Sequence, residues 1–278
     1  MSDPRVTVLM PVKDAEPYLA EAVDSILAQT FRDFRLLAID DGSTDGSAAT
    51  LERYARDDQR VQVVRNERNE GLARTLAKGV ELAQTELVAR MDPDDVAVPE
   101  RLERQVRYLA DHPEVDVLGT WATDIDEKGN ALRPRRAPLD HGAIVSALIF
   151  ANPMIHPTVM FRRVVVLRAG SYDTSVRVAE DYNLWFRCVA AGARFANLGE
   201  SLLWYRAPEA GVMRKAARFG LDGMKTRWTG YRVMGVPWWR RGLGLLIPLS
   251  LGLVPPVLRR RAYALALRWD PRQRTRSD

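Results

Sequence analysis

Leu87-Val88-Ala89-Arg90-Met91-Asp92-Pro93-Asp94-Asp95 is an apolar run that breaks off in three carboxylates. Leu87 to Met91 has the length and bulk of a strand buried in a parallel sheet. Pro93 has no amide hydrogen to give to a sheet ladder, so the strand stops before it. Asp92, Asp94 and Asp95 then lie at the carboxyl end of a strand, where open α/β sheets hold their ligands. Like charges about 4 Å apart repel by ~1 kcal/mol in water and by ~4 kcal/mol at an effective dielectric of about 20. A divalent cation removes that repulsion, and hard cations take carboxylate oxygens. A solvent-exposed acidic turn explains the same residues with no ligand at all. The neighbouring loops decide between the two.

Residues 6–10 read as a buried strand that Pro11 ends. Pro17 suits the first turn of a helix whose Leu19, Ala22, Val23, Ile26 and Leu27 form one apolar stripe. A second strand, 36–39, runs into Asp40-Asp41-Gly42-Ser43-Thr44-Asp45 and a helix carrying Ala48, Leu51 and Ala55. A third, 61–64, precedes a loop at 66–71 and a helix with Leu72, Leu76, Gly79, Val80 and Ala83 on one side. Strands alternating with helices predict an α/β fold with a doubly wound, mostly parallel sheet. Right-handed crossovers place every strand-to-helix loop along one edge. Lys13-Asp14, residues 40–45 and residues 92–95 share that edge. Turn chemistry accounts for each loop separately, but not for acids gathering on one rim.

Several other chemistries are excluded. No Gly-x-Gly-x-x-Gly follows the first strand and no Gly-x-x-x-x-Gly-Lys-Ser/Thr occurs, so the two usual phosphate-cradling loops are missing. A nucleotide diphosphate held here would be neutralised by a cation, with acids binding the base or ribose. His112, His141 and His156 are not spaced as zinc ligands, and no Gly-x-Ser-x-Gly elbow is present. His112, before Pro113 at a helix end, reads as a surface residue. Cys188 is the only cysteine, which forbids an intrachain disulfide and fits a reducing compartment. Met1-Ser2-Asp3-Pro4 opens with no basic region and no long apolar run, so secretion by a signal peptide is not expected.

The net charge of +5 conceals an asymmetry. Residues 207–278 hold 15 Lys and Arg against 4 Asp and Glu, a charge of +11 that leaves the remainder at −6. The basic character therefore belongs to the tail, and nucleic acid is not an expected partner of the main domain. Pro237-Trp238-Trp239-Arg240-Arg241 precedes 17 uncharged residues, 242–258, and then Arg259-Arg260-Arg261. A spanning helix needs roughly 20 apolar residues, and Pro248, Pro255 and Pro256 interrupt this stretch. Paired tryptophans flanked by arginines are what an interfacial segment presents to an anionic membrane surface. The competing reading is a helical hairpin packed on its own domain or on a second subunit, as in a homodimer.

The second half carries weaker signals. Residues 115–120 resemble a strand, and Glu127-Lys128-Gly129-Asn130 a hairpin turn. Residues 157–161 form another strand, entered from His156. Glu180-Asp181 open a helix with Leu184, Trp185, Cys188 and Val189 on its inner side, ended by Gly192. Acids at a helix start are favoured by ~0.3–1 kcal/mol through the helix dipole, with no catalytic role. Cys188 reads as a small core residue.

In their order, these motifs resemble a family-two glycosyltransferase with the GT-A fold, the inverting nucleotide-sugar enzymes of bacterial polysaccharide assembly. The resemblance covers residues 5–206. Residues 6–13 match the opening strand with its Pro-Val, and Ser25-Ile26-Leu27-Ala28-Gln29-Thr30 matches the family's Ser-Ile/Val-Leu-x-Gln-Thr. Residues 40–45 correspond to the base- and ribose-binding loop, Asn69-Glu70-Gly71 to its Asn-x-Gly turn, and Asp92-Pro93-Asp94 to the Asp-x-Asp metal motif with the trailing helix after Pro99. Glu180-Asp181 corresponds to the Glu-Asp pair that supplies the base.

The resemblance implies that Pro11, Val12, Lys13, Asp41 and Asp92 bind a nucleoside-diphosphate sugar, that Asp94 holds Mg2+ or Mn2+, and that Asp181 deprotonates the acceptor hydroxyl. Asp95, Glu180, His156, Trp185 and Arg206 are secondary candidates. It further implies a catalytic domain over 1–212, with 1–110 binding the donor and 111–212 facing a glycan or lipid-linked acceptor. A helical, basic tail over 213–278 completes the chain, and the expected location is cytoplasmic, at the inner face of the cell membrane. Two departures stand out. Lys13-Asp14 replaces a Tyr-Asn-like pair, and Ala207-Pro208-Glu209 follows Arg206 where many members carry a histidine near the phosphates. A nucleotidyltransferase of similar fold is the rival reading, but Pro11-Val12-Lys13-Asp14 supplies no glycine for its phosphate loop. An inactive scaffold partner of a glycan assembly complex would be expected to have lost Asp94 or Asp181, and both remain.

Overall fold

A computed structural model describes residues 4–207 and 221–238, together with 241, 242 and 245. The first half alternates as its sequence period requires: β1 (Val6–Val12), α1 (Glu16–Leu27), β2 (Phe34–Asp40), α2 (Ser47–Asp57), β3 (Val61–Arg65), α3 (Leu72–Leu82) and β4 (Leu87–Arg90). β1 lies between β2 and β4, β3 flanks β2, and all these pairs are parallel. Pro11 does not end β1; it stands in register with Ile39, and the strand runs on to Val12. The β1–β4 ladder stops at Leu9 and Arg90, so at Pro11 only β2 remains as a ladder neighbour. A proline is tolerated at such a one-sided position.

The second half contributes β5 (Val96–Ala97), α4 (Arg101–Asp111), β6 (Val117–Ile125), β7 (Ala131–Arg135), α5 (His141–Leu148), β8 (Met160–Arg162), α6 (Arg163–Arg168), α7 (Glu180–Ala190), β9 (Phe195–Arg206) and α8 (Leu221–Val233). The sheet order is β3-β2-β1-β4-β8-β6-β9-β5, with β7 hairpinned onto β6. β8 runs antiparallel to both neighbours, whereas β6 and β9 are parallel. The strand expected over 157–161 is shorter than that: His156–Thr158 forms a 3-10 turn, and only Met160–Arg162 joins the sheet. Pro157 opens that turn, and the Thr158 hydroxyl closes it by donating to the Ile155 carbonyl. The hairpin turn falls where expected, with Gly129 at φ 84° and the Asp126 amide donating to the Asn130 carbonyl.

The strands alternate their side chains between two cores. Val8, Met10, Leu36 and Ala89 pack with Leu19, Val23 and Ile26 of α1 and with Leu102 and Val106 of α4. Leu9, Leu37, Ile39 and Val88 pack on the opposite face with α3 and with Leu184, Trp185, Phe186 and Cys188 of α7. α3 sits so close to β1 that a Cβ on Gly79 would lie 2.2 Å from Leu9 Cδ1.

α8 rests on α7. Tyr231 is fully buried, its ring set edge-on to Phe186, and its hydroxyl donates to the Ile149 carbonyl. Beyond it, Trp238 is 82% exposed. The uncharged stretch 242–258, apart from Gly242 and Leu245, and Arg259-Arg260-Arg261 lie outside the described residues. Among the described residues no helix is long and apolar enough to cross a membrane.

Candidate active site

Four loops meet at the carboxyl ends of the central strands. After β1, Lys13 is drawn sideways, its ammonium donating to the Gly42 carbonyl at 2.8 Å and pairing with Asp14 at 3.0 Å. Asp14 adopts a left-handed φ of 47° and accepts the Thr44 amide. That bond and Lys13 hold its carboxyl below the usual range. The first two loops are thereby stitched together. After β2, Asp41 is buried and accepts three bonds from the loop before α3. Asn66 Nδ2 (2.9 Å) and the Glu70 amide (2.8 Å) bond to Oδ1, and the Gly71 amide (2.9 Å) bonds to Oδ2. Gly71 makes that turn at φ 91°, a conformation glycine takes without cost.

After β4, Asp92, Asp94 and Asp95 each bring a carboxylate oxygen within 4.8 Å of the other two. Asp95 is 1% exposed, and its Oδ2 has no hydrogen-bond partner among the described residues. Burial, with Asp92 and Asp94 beside it, pushes its carboxyl well above the usual range. Converging oxygens with one buried and unsatisfied make a donor set suited to a hard divalent cation. Arg90 lies beneath, 3% exposed, with a guanidinium nitrogen against Asp92 Oδ1. Arg101 is fully buried and donates to the Arg90 carbonyl at 2.7 Å; burial pulls it down to about 9.

The charge of Arg90 also acts on a second group, Glu180, Asp181 and His156. Ala179 turns through φ 61° to start α7. Asp181 Oδ2 accepts Asn152 Nδ2 at 2.6 Å and Oδ1 accepts the Tyr182 amide at 2.7 Å. Burial raises the Asp181 carboxyl, while the Tyr182 amide, Arg90 and Asn152 oppose the rise. Glu180 is pushed up to about 7 by burial and by Asp181, with Arg90 and Asp92 also acting on it. His156 Nδ1 stands 4.0 Å from Asp181 Oδ2, and its Nε2 bonds Tyr172 at 2.8 Å. Burial and Arg90 keep the His156 imidazole neutral by lowering it well below its usual value.

The structure gathers Asp92, Asp94 and Asp95 on one loop and sets His156 beside Asp181 at the start of α7, with the charge of Arg90 acting on both groups. Trp185 does not line it; the indole is fully buried between His156 and Phe195. Arg206 turns inward and is described below. Arg90, Asn152 and Tyr172 were missed in the sequence. Of these only Arg90 left a signal, as a charge inside an otherwise apolar strand, which requires a buried partner.

The model of the family described as "Glycosyl transferase family 2" matches residues 7–171. An uncharacterized glycosyltransferase, MJ1057, of Methanocaldococcus jannaschii is 30% identical over 235 residues, spanning 82% of this chain and 81% of that protein. The O-antigen biosynthesis glycosyltransferase WbnJ of Escherichia coli is 33% identical over 217 residues, spanning 77% and 84%. The mannosyltransferase PcManGT of Pyrobaculum calidifontis, solved with GDP-Man and Mn2+, superposes with a TM-score of 0.67 at 20% identity, covering 98% of this chain and 84% of that one. That likeness identifies the fold as GT-A. With more than half its length inside the family model, the chain belongs to glycosyl transferase family 2.

Proposed function

We propose that this glycosyltransferase moves a sugar from a nucleoside-diphosphate donor to an acceptor hydroxyl with inversion, in the assembly of a cell-surface glycan. One observation carries the reading. The cation-competent loop at Asp92–Asp94–Asp95 pairs with the buried guanidinium of Arg90, whose charge also acts on the half-buried Asp181 carboxyl. An inverting transfer needs two such acidic groups, one at the leaving diphosphate and one at the attacking hydroxyl.

In this mechanism Asp94 holds Mg2+ or Mn2+ with Asp92 and Asp95 beside it, and the bound cation supplies neutralisation of the departing diphosphate. Asp41 and Asp92 receive the base and the ribose or sugar, and Pro11, Val12 and Lys13 wall the nucleotide. Asp181 Oδ2, oriented by Asn152, takes the proton as the acceptor oxygen bonds to the anomeric carbon and the glycosidic phosphate bond breaks. One in-line displacement inverts the centre and needs no covalent enzyme intermediate. WbnJ, an O-antigen enzyme, supports the glycan role. The +11 tail supports attachment at an anionic membrane carrying a lipid-linked acceptor.

Thermal-shift measurements with a panel of UDP-, GDP- and dTDP-sugars in Mn2+ test the reading. One nucleotide class should raise Tm, as ligands specific to the folded state do. No shift with any of them contradicts it.

A further inference from the structure

Arg206 ends β9 at the position from which a phosphate contact would be expected, yet its side chain is 2% exposed and points into the protein. Nε donates to the Asp94 carbonyl at 2.8 Å. Nη1 donates to the carbonyls of Asp126 (3.0 Å) and Glu127 (3.1 Å) in the β6–β7 turn. Nη2 donates to Glu21 Oε2 on α1 at 2.7 Å, and the guanidinium lies 4.4 Å over the Tyr18 ring. Its own amide donates to Asp95 Oδ1 at 2.8 Å. Four of the five guanidinium hydrogens are thus committed to protein oxygens. Both acids of the Asp94-Asp95 pair are moored by this one residue to α1, β9 and the hairpin.

We propose that Arg206 is a positioning residue that fixes Asp94 and Asp95 in the geometry a divalent cation requires, and does not itself touch the donor. The proposal rests on the cation reading of the acidic loop given above. Asp94 lies between β4 and β5 in neither strand, so nothing in the sheet ladder fixes its backbone. Three carboxylates drawn together repel one another, and an unmoored loop would relax outward into water. Arg206 supplies the rigid planar fork, with bonds in several directions, that prevents this; a lysine cannot reproduce it. Partners outside a metal's own ligands typically contribute 10–100-fold to its affinity.

Calorimetric titration of Mn2+ into the full chain, with UDP or GDP present in turn, tests the proposal. Arg206→Met should weaken Mn2+ binding by about 10–100-fold. Arg206→Lys should weaken it less, and Glu21→Gln, which loosens only the exposed end of the tie, least. Saturating Mn2+ should restore nucleotide affinity in Arg206→Met, because the loss lies in the cation site. Wild-type Mn2+ affinity in a folded Arg206→Met protein overturns the proposal. So does a nucleotide defect that saturating Mn2+ fails to repair, which would make Arg206 a phosphate ligand. If Arg206→Met does not fold, Arg206→Lys decides, and wild-type Mn2+ affinity there overturns the proposal. Asp94→Ala is the control for the underlying reading. Undiminished Mn2+ binding in that variant removes the cation from the loop altogether, and this proposal with it.

Discussion

Asp181 is held by two bonds that favour its charged form, against burial that disfavours it. A carboxylate balanced in this way suits a proton acceptor better than a helix-start ornament. Asp181→Asn keeps the shape and removes the basic oxygen, so donor affinity should persist while turnover falls by ~10²–10⁴-fold. Near-normal turnover in a steady-state assay would reduce Glu180-Asp181 to a helix start. Its neighbour gives a stability signature. Glu180 is pushed from its ordinary 4.5 up to about 7, so the folded protein retains a proton that the unfolded chain releases. Stability from this group is therefore present below about pH 4.5 and lost as pH rises towards 7. Tm measured across that window should fall less in Glu180→Gln than in wild type; equal slopes would contradict the shift. At this scale the acids were legible because three strand ends converge on one rim. Arg90 and Asn152 were not: the first hides in a strand, and the second acts across 29 residues of sequence.

The elements show why some motifs have the spacing they do. Gln29 donates to the Ser25 and Val98 carbonyls and accepts the Leu102 amide, so α1 is clamped to the segment entering α4. Ser25 accepts the Ala97 amide in the same clamp. The Ser-x-x-x-Gln pattern thus steadies the chain just after the acidic loop, a long-range role that periodicity cannot reveal. Helices and parallel strands of the first half were readable from apolar spacing alone. The 3-10 turn at His156–Thr158 was not, because Pro157 and the Thr158 hydroxyl override a strand-like composition. Gly230 marks the contact of α8 on α7, where a Cβ would lie 2.2 Å from the Phe186 ring. Gly230→Ala gains up to ~1 kcal/mol of helix propensity but overpacks a rigid ring at ~1–3 kcal/mol. Tm should fall by a few degrees; a rise would show that α8 is not seated on α7.

At the scale of the whole molecule, an acidic body carries a basic extension, within which α8 is docked on α7. The described outer surface of α8 exposes Trp228, Val233 and Arg232, and Trp238 follows. Lys and Arg near a charged leaflet contribute ~1 kcal/mol each, and apolar insertion adds a part that salt does not screen. Full-length protein should float with anionic liposomes, less so at high salt, whereas a form ending at residue 238 should float weakly. Equal flotation of the two forms, or none by either, would place the tail on protein. The proposed reaction rests most heavily on the acidic loop, where three carboxylates converge and one of their oxygens, Asp95 Oδ2, is buried with no partner among the described residues. Calorimetry of the donor identified by thermal shift, in Mn2+, in EDTA and with Asp94→Ala, tests it most directly. Binding should be tight in Mn2+ and lost or greatly weakened in EDTA and in the variant; undiminished affinity in either would contradict a cation-dependent glycosyltransferase.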